Sequence, residues 1–162
     1  MQLDEYIKKG FANKIVETEL PRYLNFFTNS YKENLEHCKT VLNTFPRWSI
    51  ISGYYAMHDI TKLFLAKKFQ IKVDIKVHKT VLKIMEEITK DKELLNLLKI
   101  GYEEFIKMAS DLSEARDERQ KAQYYKGAEF LEKIYQEKAP SFLENTVEPY
   151  LNKINSLIKN DI

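Results

Sequence analysis

Residues Ser49–Val81, SIISGYYAMHDITKLFLAKKFQIKVDIKVHKTV, decide how the chain is read. Pro46 opens a helix here, because proline suits a first helical turn and not an interior. Trp48, Ile51, Tyr54, Tyr55, Ile60, Leu63 and Phe64 cover most of its circumference, which predicts the central, most buried helix of the protein. Gly53 would let a neighbouring helix approach closely. His58 and Asp59 interrupt the apolar surface. Two adjacent polar side chains on a buried helix need partners or an opening to solvent, so each is either satisfied structurally or part of a site. Phe69–Val77, FQIKVDIKV, alternates apolar and charged residues at the period of a strand. No second strand is apparent to pair with it, so an extended loop laid over the helices is expected. Lys67, Lys68, Lys72 and Lys76 make this the most basic local stretch. A further helix is expected over His78–Lys90.

A second stretch, Ser113–Tyr125, SEARDERQKAQYY, changes the picture. It ends a helical run expected over Leu94–Tyr125, in which Leu98, Tyr102, Phe105, Ala109, Leu112, Arg116, Arg119 and Gln123 share one stripe. The stripe turns from apolar to Arg116, Arg119 and Gln123 without losing phase. A guanidinium on a core-facing line needs a carboxylate, an interface or an anion, because stranding a charge costs several kcal/mol, about 3 or more. Asp59 is the natural intramolecular partner, giving an arginine–aspartate lock. The alternative is a cleft that receives phosphate.

The remaining segments are also helical by pattern. Asp4–Leu20 reads as a helix weakened at Gly10 and ended by Pro21. From Leu24 to Phe45 a clean stripe runs to Pro46. Cys38 on it is expected in the core and its neighbour His37 at the surface. Gly127, or the Tyr124–Lys126 stretch, should stop the long helix. Ala128–Lys138 should follow and Pro140 break it. Ser141 should cap a last helix, Phe142–Lys159, in a capping box with Glu144.

With 162 residues, 44% hydrophobic, 31% charged and only four glycines and four prolines, one all-α domain is expected. The net charge of +2 demands no polyanion partner. One cysteine permits no internal disulfide, and no apolar signal core or spanning run occurs, so a soluble, cytoplasmic protein with no membrane partner is expected. Phosphate loops, zinc spacings and a nucleophile elbow are missing from the pattern, and no metal or cofactor is expected.

Three blocks then stand in order: Tyr54-Tyr55-Ala56-Met57-His58-Asp59-Ile60-Thr61-Lys62-Leu63-Phe64-Leu65, then Val77-His78-Lys79-Thr80-Val81, then Arg119-Gln120-Lys121-Ala122-Gln123-Tyr124. Together they resemble the HEPN family, the nucleotide-binding domains named for higher eukaryotes and prokaryotes, whose compact members carry a YYAMFHAAKALL-like helix, a THKGV-like helix start and an R-x-x-A-D-Y helix end. The resemblance implies an up-and-down bundle of four to five main helices over about 46–159, with 1–45 as a helical extension, and a homodimer built on the central helices. Many members are metal-independent ribonucleases whose signature joins an arginine, a polar residue and, after three more residues, a histidine. Carried over, Arg119 is the signature arginine and Gln120 its polar follower, but Tyr124 stands where the histidine would be. Asp59 likewise replaces a histidine of the helix pattern. Tyrosine, ionising near pH 10, is a poor general base at neutral pH.

The resemblance therefore implies a nucleotide- or RNA-binding or scaffold module, with Arg116, Arg119, Gln120, Gln123 and Tyr124 on the ligand. It also implies a possible nucleotidyltransferase partner, as in toxin–antitoxin pairs. If the chain cuts RNA, Arg119, Tyr124, Asp59 and His58 are the candidates, with His58 or His78 supplying the acid or base. A purely structural helical dimer is the third reading.

Overall fold

The computed structural model describes the backbone of residues 3–119 and 124–160, and the side chains of 3–108 and 132–160. The chain is predominantly helical. In order come α1 (Leu3–Lys8), β1 (Ala12–Lys14), α2 (Leu20–Thr40), α3 (Pro46–Phe69), β2 (Ile71–Val73), α4 (Val77–Ile88), α5 (Lys92–Arg119), α6 (Tyr124–Phe142), a five-residue π-helical turn (Leu143–Val147) and α7 (Glu148–Lys159).

As its all-round apolar sequence requires, α3 is the hub. It is buried along most of its length, with Trp48 exposed near its start, and touches α2, α4, α5, α6, α7 and β2. Two glycines set the approach distances. A Cβ on Gly53 would stand 2.9 Å from Val147 Cγ2 and 3.2 Å from Cys38 Sγ, so α2 and the π turn both close on α3 there. A Cβ on Gly101 of α5 would meet the thioether of Met57 at 2.9 Å. Towards α7, Thr61 Oγ1 bonds Tyr150 Oη at 2.6 Å in the buried core.

Asp4–Leu20 departs from the expected single helix. Gly10, at φ +72°, ends α1 after two turns. The Gly10 N–H bonds Ile7 O and the Phe11 N–H bonds Tyr6 O, the paired bonds of a Schellman cap. The chain then runs extended, and Ala12, Asn13 and Lys14 pair antiparallel with Val73, Lys72 and Ile71. So part of the expected loop over Phe69–Val77 is a strand, with Ile71 and Val73 buried and Lys72 turned out to Glu19 at 2.9 Å. Its partner lay some sixty residues upstream inside a segment of helical period. Pro21 begins α2 rather than ending a helix, as its fixed φ favours.

The C-terminal third is more continuous than its prolines suggest. Gly127 and Pro140 both lie inside α6. No capping box forms at Ser141; the helix widens into the π turn and resumes as α7, with Pro149 in its first turn. The π turn just before Pro149 shifts the ladder by one residue, which relieves the clash and the lost donor that this proline imposes. Ser141 Oγ instead accepts from Asn145 Nδ2 at 3.1 Å. Asp91 caps α5, its Oδ1 accepting the Leu94 N–H at 3.0 Å. Among the described residues no helix is long and apolar enough to cross a membrane.

Candidate functional site

Adjacent on α3, His58 and Asp59 are both buried and take opposite directions. Asp59 faces α2, where its Oδ2 accepts from Ser30 Oγ at 2.6 Å and from Asn34 Nδ2 at 3.0 Å. Ser30 and Asn34 are four apart, one above the other on the same helical face. Burial pushes the Asp59 carboxyl upward, while the Ser30 and Asn34 bonds and nearby Lys62 hold it down. Lys62, one turn beyond, lies with its ammonium 4.5 Å from the centre of the Phe27 ring. Burial lowers its affinity for a proton and Asp59 restores part of it.

His58 faces α4 and α5. Its ring centre is 4.5 Å from that of His78 at the start of α4. Tyr54, one turn before His58, bonds His78 Nδ1 through its hydroxyl at 2.8 Å. Phe105 of α5 stacks on Tyr54 at 4.6 Å and lies 5.1 Å from His78. Burial pulls His58 down to about 3, helped by His78 and Lys62. His78 is lowered by burial and then by Lys62, and burial pushes the Tyr54 phenol up. All three rings are therefore neutral at neutral pH. The cluster can hold and orient groups through hydrogen bonds, but His58 lacks the second ring proton of an imidazolium and is no general acid there. Among the described residues no three His, Cys, Asp or Glu side chains come together as metal ligands.

The third side of the site is carried by α5 itself. At 1.5 Å per residue, Arg116 and Arg119 stand about 16 and 21 Å further along its axis than Phe105. The side chains of Arg116, Arg119 and Tyr124, and the whole of Gln120 and Gln123, lie outside the described residues. The expected Asp59–Arg119 contact lies there too; the partners that Asp59 has among the described residues are on α2. His37 is exposed and bonds Ser52 Oγ at 2.6 Å, while Cys38 is fully buried, both as their positions on the stripe imply.

No family model, curated sequence or solved structure matches this chain. The site is thus defined by its own residues. Sequence reasoning found His58 and Asp59 as a pair but missed Lys62, Ser30 and Asn34. Lys62 stands three and four residues beyond Asp59 and His58, and Tyr54 four before His58, so helical spacing alone could have named both. That His78 meets His58 has no local signal, because α4 is placed by the strand pairing that precedes it.

Proposed function

We propose that the chain is a HEPN-like helical module that binds a nucleotide or RNA backbone without cutting it. The observation that carries this reading is the Tyr54–His78 hydrogen bond, which ties the first two blocks of the resemblance to each other. Phe105, on the helix that leads to the third block, stacks on the same Tyr54. In this reading Arg116 and Arg119, with Gln120, Gln123 and Tyr124, receive phosphate, guanidinium being the side chain best matched to that anion. Binding without cleavage is supported by Tyr124 in place of the signature histidine and by the neutral, buried state of His58. The module works as a homodimer in an up-and-down bundle, beside a separately encoded nucleotidyltransferase in a toxin–antitoxin-like pair, and needs no cofactor.

The test is anisotropy of a labelled single-stranded RNA at low salt, with wild type and Arg116→Ala/Arg119→Ala side by side, and cleavage followed in the same tubes. The expected result is salt-sensitive binding, weakened at least tenfold in the double variant, with the RNA intact. No binding at low salt sinks the reading. Cleavage lost in Arg119→Ala replaces it with a metal-independent ribonuclease. A lowered melting temperature with unchanged binding makes the arginines structural.

A further inference from the structure

Where α2 turns into α3, a solvent-facing cavity of about 300 Å³ opens against α6. Phe45 and Trp48 line it, and each is 57% exposed. Further along α3, Tyr54 and Phe64 are sunk in the core and Tyr55 and Phe69 are half-buried, so leaving Phe45 and Trp48 in water forgoes burial that the fold obtains from their neighbours. Between them Arg47 lays its guanidinium over the Tyr135 ring, 5.5 Å from its centre. Glu132 closes the rim from α6. The first turn of α3 has no side-chain cap, and its first residue, Pro46, brings no N–H, so Arg47 is the anion-binding group that this turn offers.

We propose that this corner is a nucleobase-stacking subsite, with Phe45 and Trp48 as the stacking faces, Arg47 on the adjoining phosphate and Glu132 accepting from an exocyclic base amine. It deepens the preceding reading and takes its ligand class from it. Four features favour a nucleotide over a protein partner. The surface is concave, its volume is at the lower end of small-molecule sites, its aromatics are solvent-exposed rings of the kind on which any base can stack, and one cation and one carboxylate flank them. An apolar protein-docking face would be flatter and would not need both charges.

Trp48 is the chain's single tryptophan, so its emission reports on this corner alone. The experiment titrates the full chain with AMP and, separately, with oligo(A), reading tryptophan emission and the anisotropy of labelled oligo(A) in parallel. AMP and oligo(A) distinguish a free nucleotide from an RNA strand as the source of the base. The expected result is saturable quenching, weakened about tenfold or more in Phe45→Ala and Arg47→Ala, with a matching loss of oligo(A) anisotropy in Trp48→Leu. Phe45 and Trp48 are largely exposed, so their truncation leaves the core intact, and an unchanged melting temperature verifies it. Oligo(A) binding with unaltered emission overturns the subsite and leaves the binding module standing. Quenching by AMP without oligo(A) binding keeps the subsite and removes the RNA reading. No response to either overturns the subsite, as does an emission shift that follows protein concentration and ignores nucleotide, which would make the corner a contact between two copies.

Discussion

The two sides of α3 solve the same problem in different ways. Towards α2 the helix presents Ser49, Ser52 and Asp59, and each is satisfied by a hydrogen bond: Ser49 to Cys38 O at 2.7 Å, Ser52 to His37, and Asp59 to Ser30 and Asn34. Towards α4 and α5 it presents Tyr54 and His58, and there stacked rings with one hydrogen bond replace the polar ladder. A carboxylate can be kept in a core by neutral donors and a nearby cation. An imidazole is kept more simply, by giving up its proton. One residue of separation on a helix, a turn of about 100°, is enough to pass from one regime to the other.

The largest effect should come from breaking the stacked side. Tyr54→Ala should cost about 4 kcal/mol in chemical denaturation, as a large buried aromatic leaves a cavity. Tyr54→Phe keeps the ring and loses only the bond to His78, about 1 to 2 kcal/mol. Equal losses in the two variants would mean that the hydroxyl, not the stack, holds this side together.

On the polar side, Asp59→Ala strands the Ser30 and Asn34 donors and removes the opposing charge nearest in effect to Lys62, for about 2 to 3 kcal/mol. Asp59→Asn keeps an acceptor and should cost less. If Asp59→Ala were neutral by thermal melting, the α2 face would not depend on its carboxylate.

Acid separates the two sides by sign. His58 and His78 stay neutral in the fold while the unfolded chain takes up protons below about pH 6.5. For His58 stability should therefore drain away as pH falls from about 6.5 towards 3, at up to about 1.4 kcal/mol per pH unit, and half-buried His78 adds a smaller loss of the same sign. Asp59, raised by burial, contributes the opposite slope: its share is full below the ordinary carboxylate value and is lost as pH rises through its folded value. His58→Phe should flatten the acid limb of a urea-midpoint profile relative to wild type. An unchanged limb would mean that His58 accepts a proton inside the fold.

The smallest effect lies at the edge of the polar side. Tyr23 Oη is buried without a hydrogen-bond partner among the described residues. Tyr23→Phe should be neutral or stabilising, by no more than about 1 kcal/mol, because it removes an unmet polar group and keeps the ring. A clear loss in melting temperature would point to a partner for that hydroxyl.

Much of this could be read from residue order. The central helix, its glycine contact at Gly53, and the placement of Cys38 inside and His37 outside all follow from period and size within a few residues. The first twenty residues could not be read that way. Tyr6, Ile7, Phe11 and Ile15 keep helical period on both sides of Gly10, so only the pairing of Ala12–Lys14 with Ile71–Val73 turns their second half into a strand. Pro140 likewise looks like a stop yet lies inside α6, and the π turn just before Pro149 that lets the chain stay helical there is a property of the packed helix.

By itself, then, the sequence determined the helical class, the identity of the buried helix and the two polar residues upon it, because these depend on spacings within a few turns. The tertiary structure alone decided that Asp59 turns to α2 while His58 meets His78, and that Phe105 closes over Tyr54. Those meetings join residues about twenty to fifty apart in the chain. Their geometry is set by how close the glycines let the helices come and by where the strand pair delivers α4, neither of which a local pattern encodes.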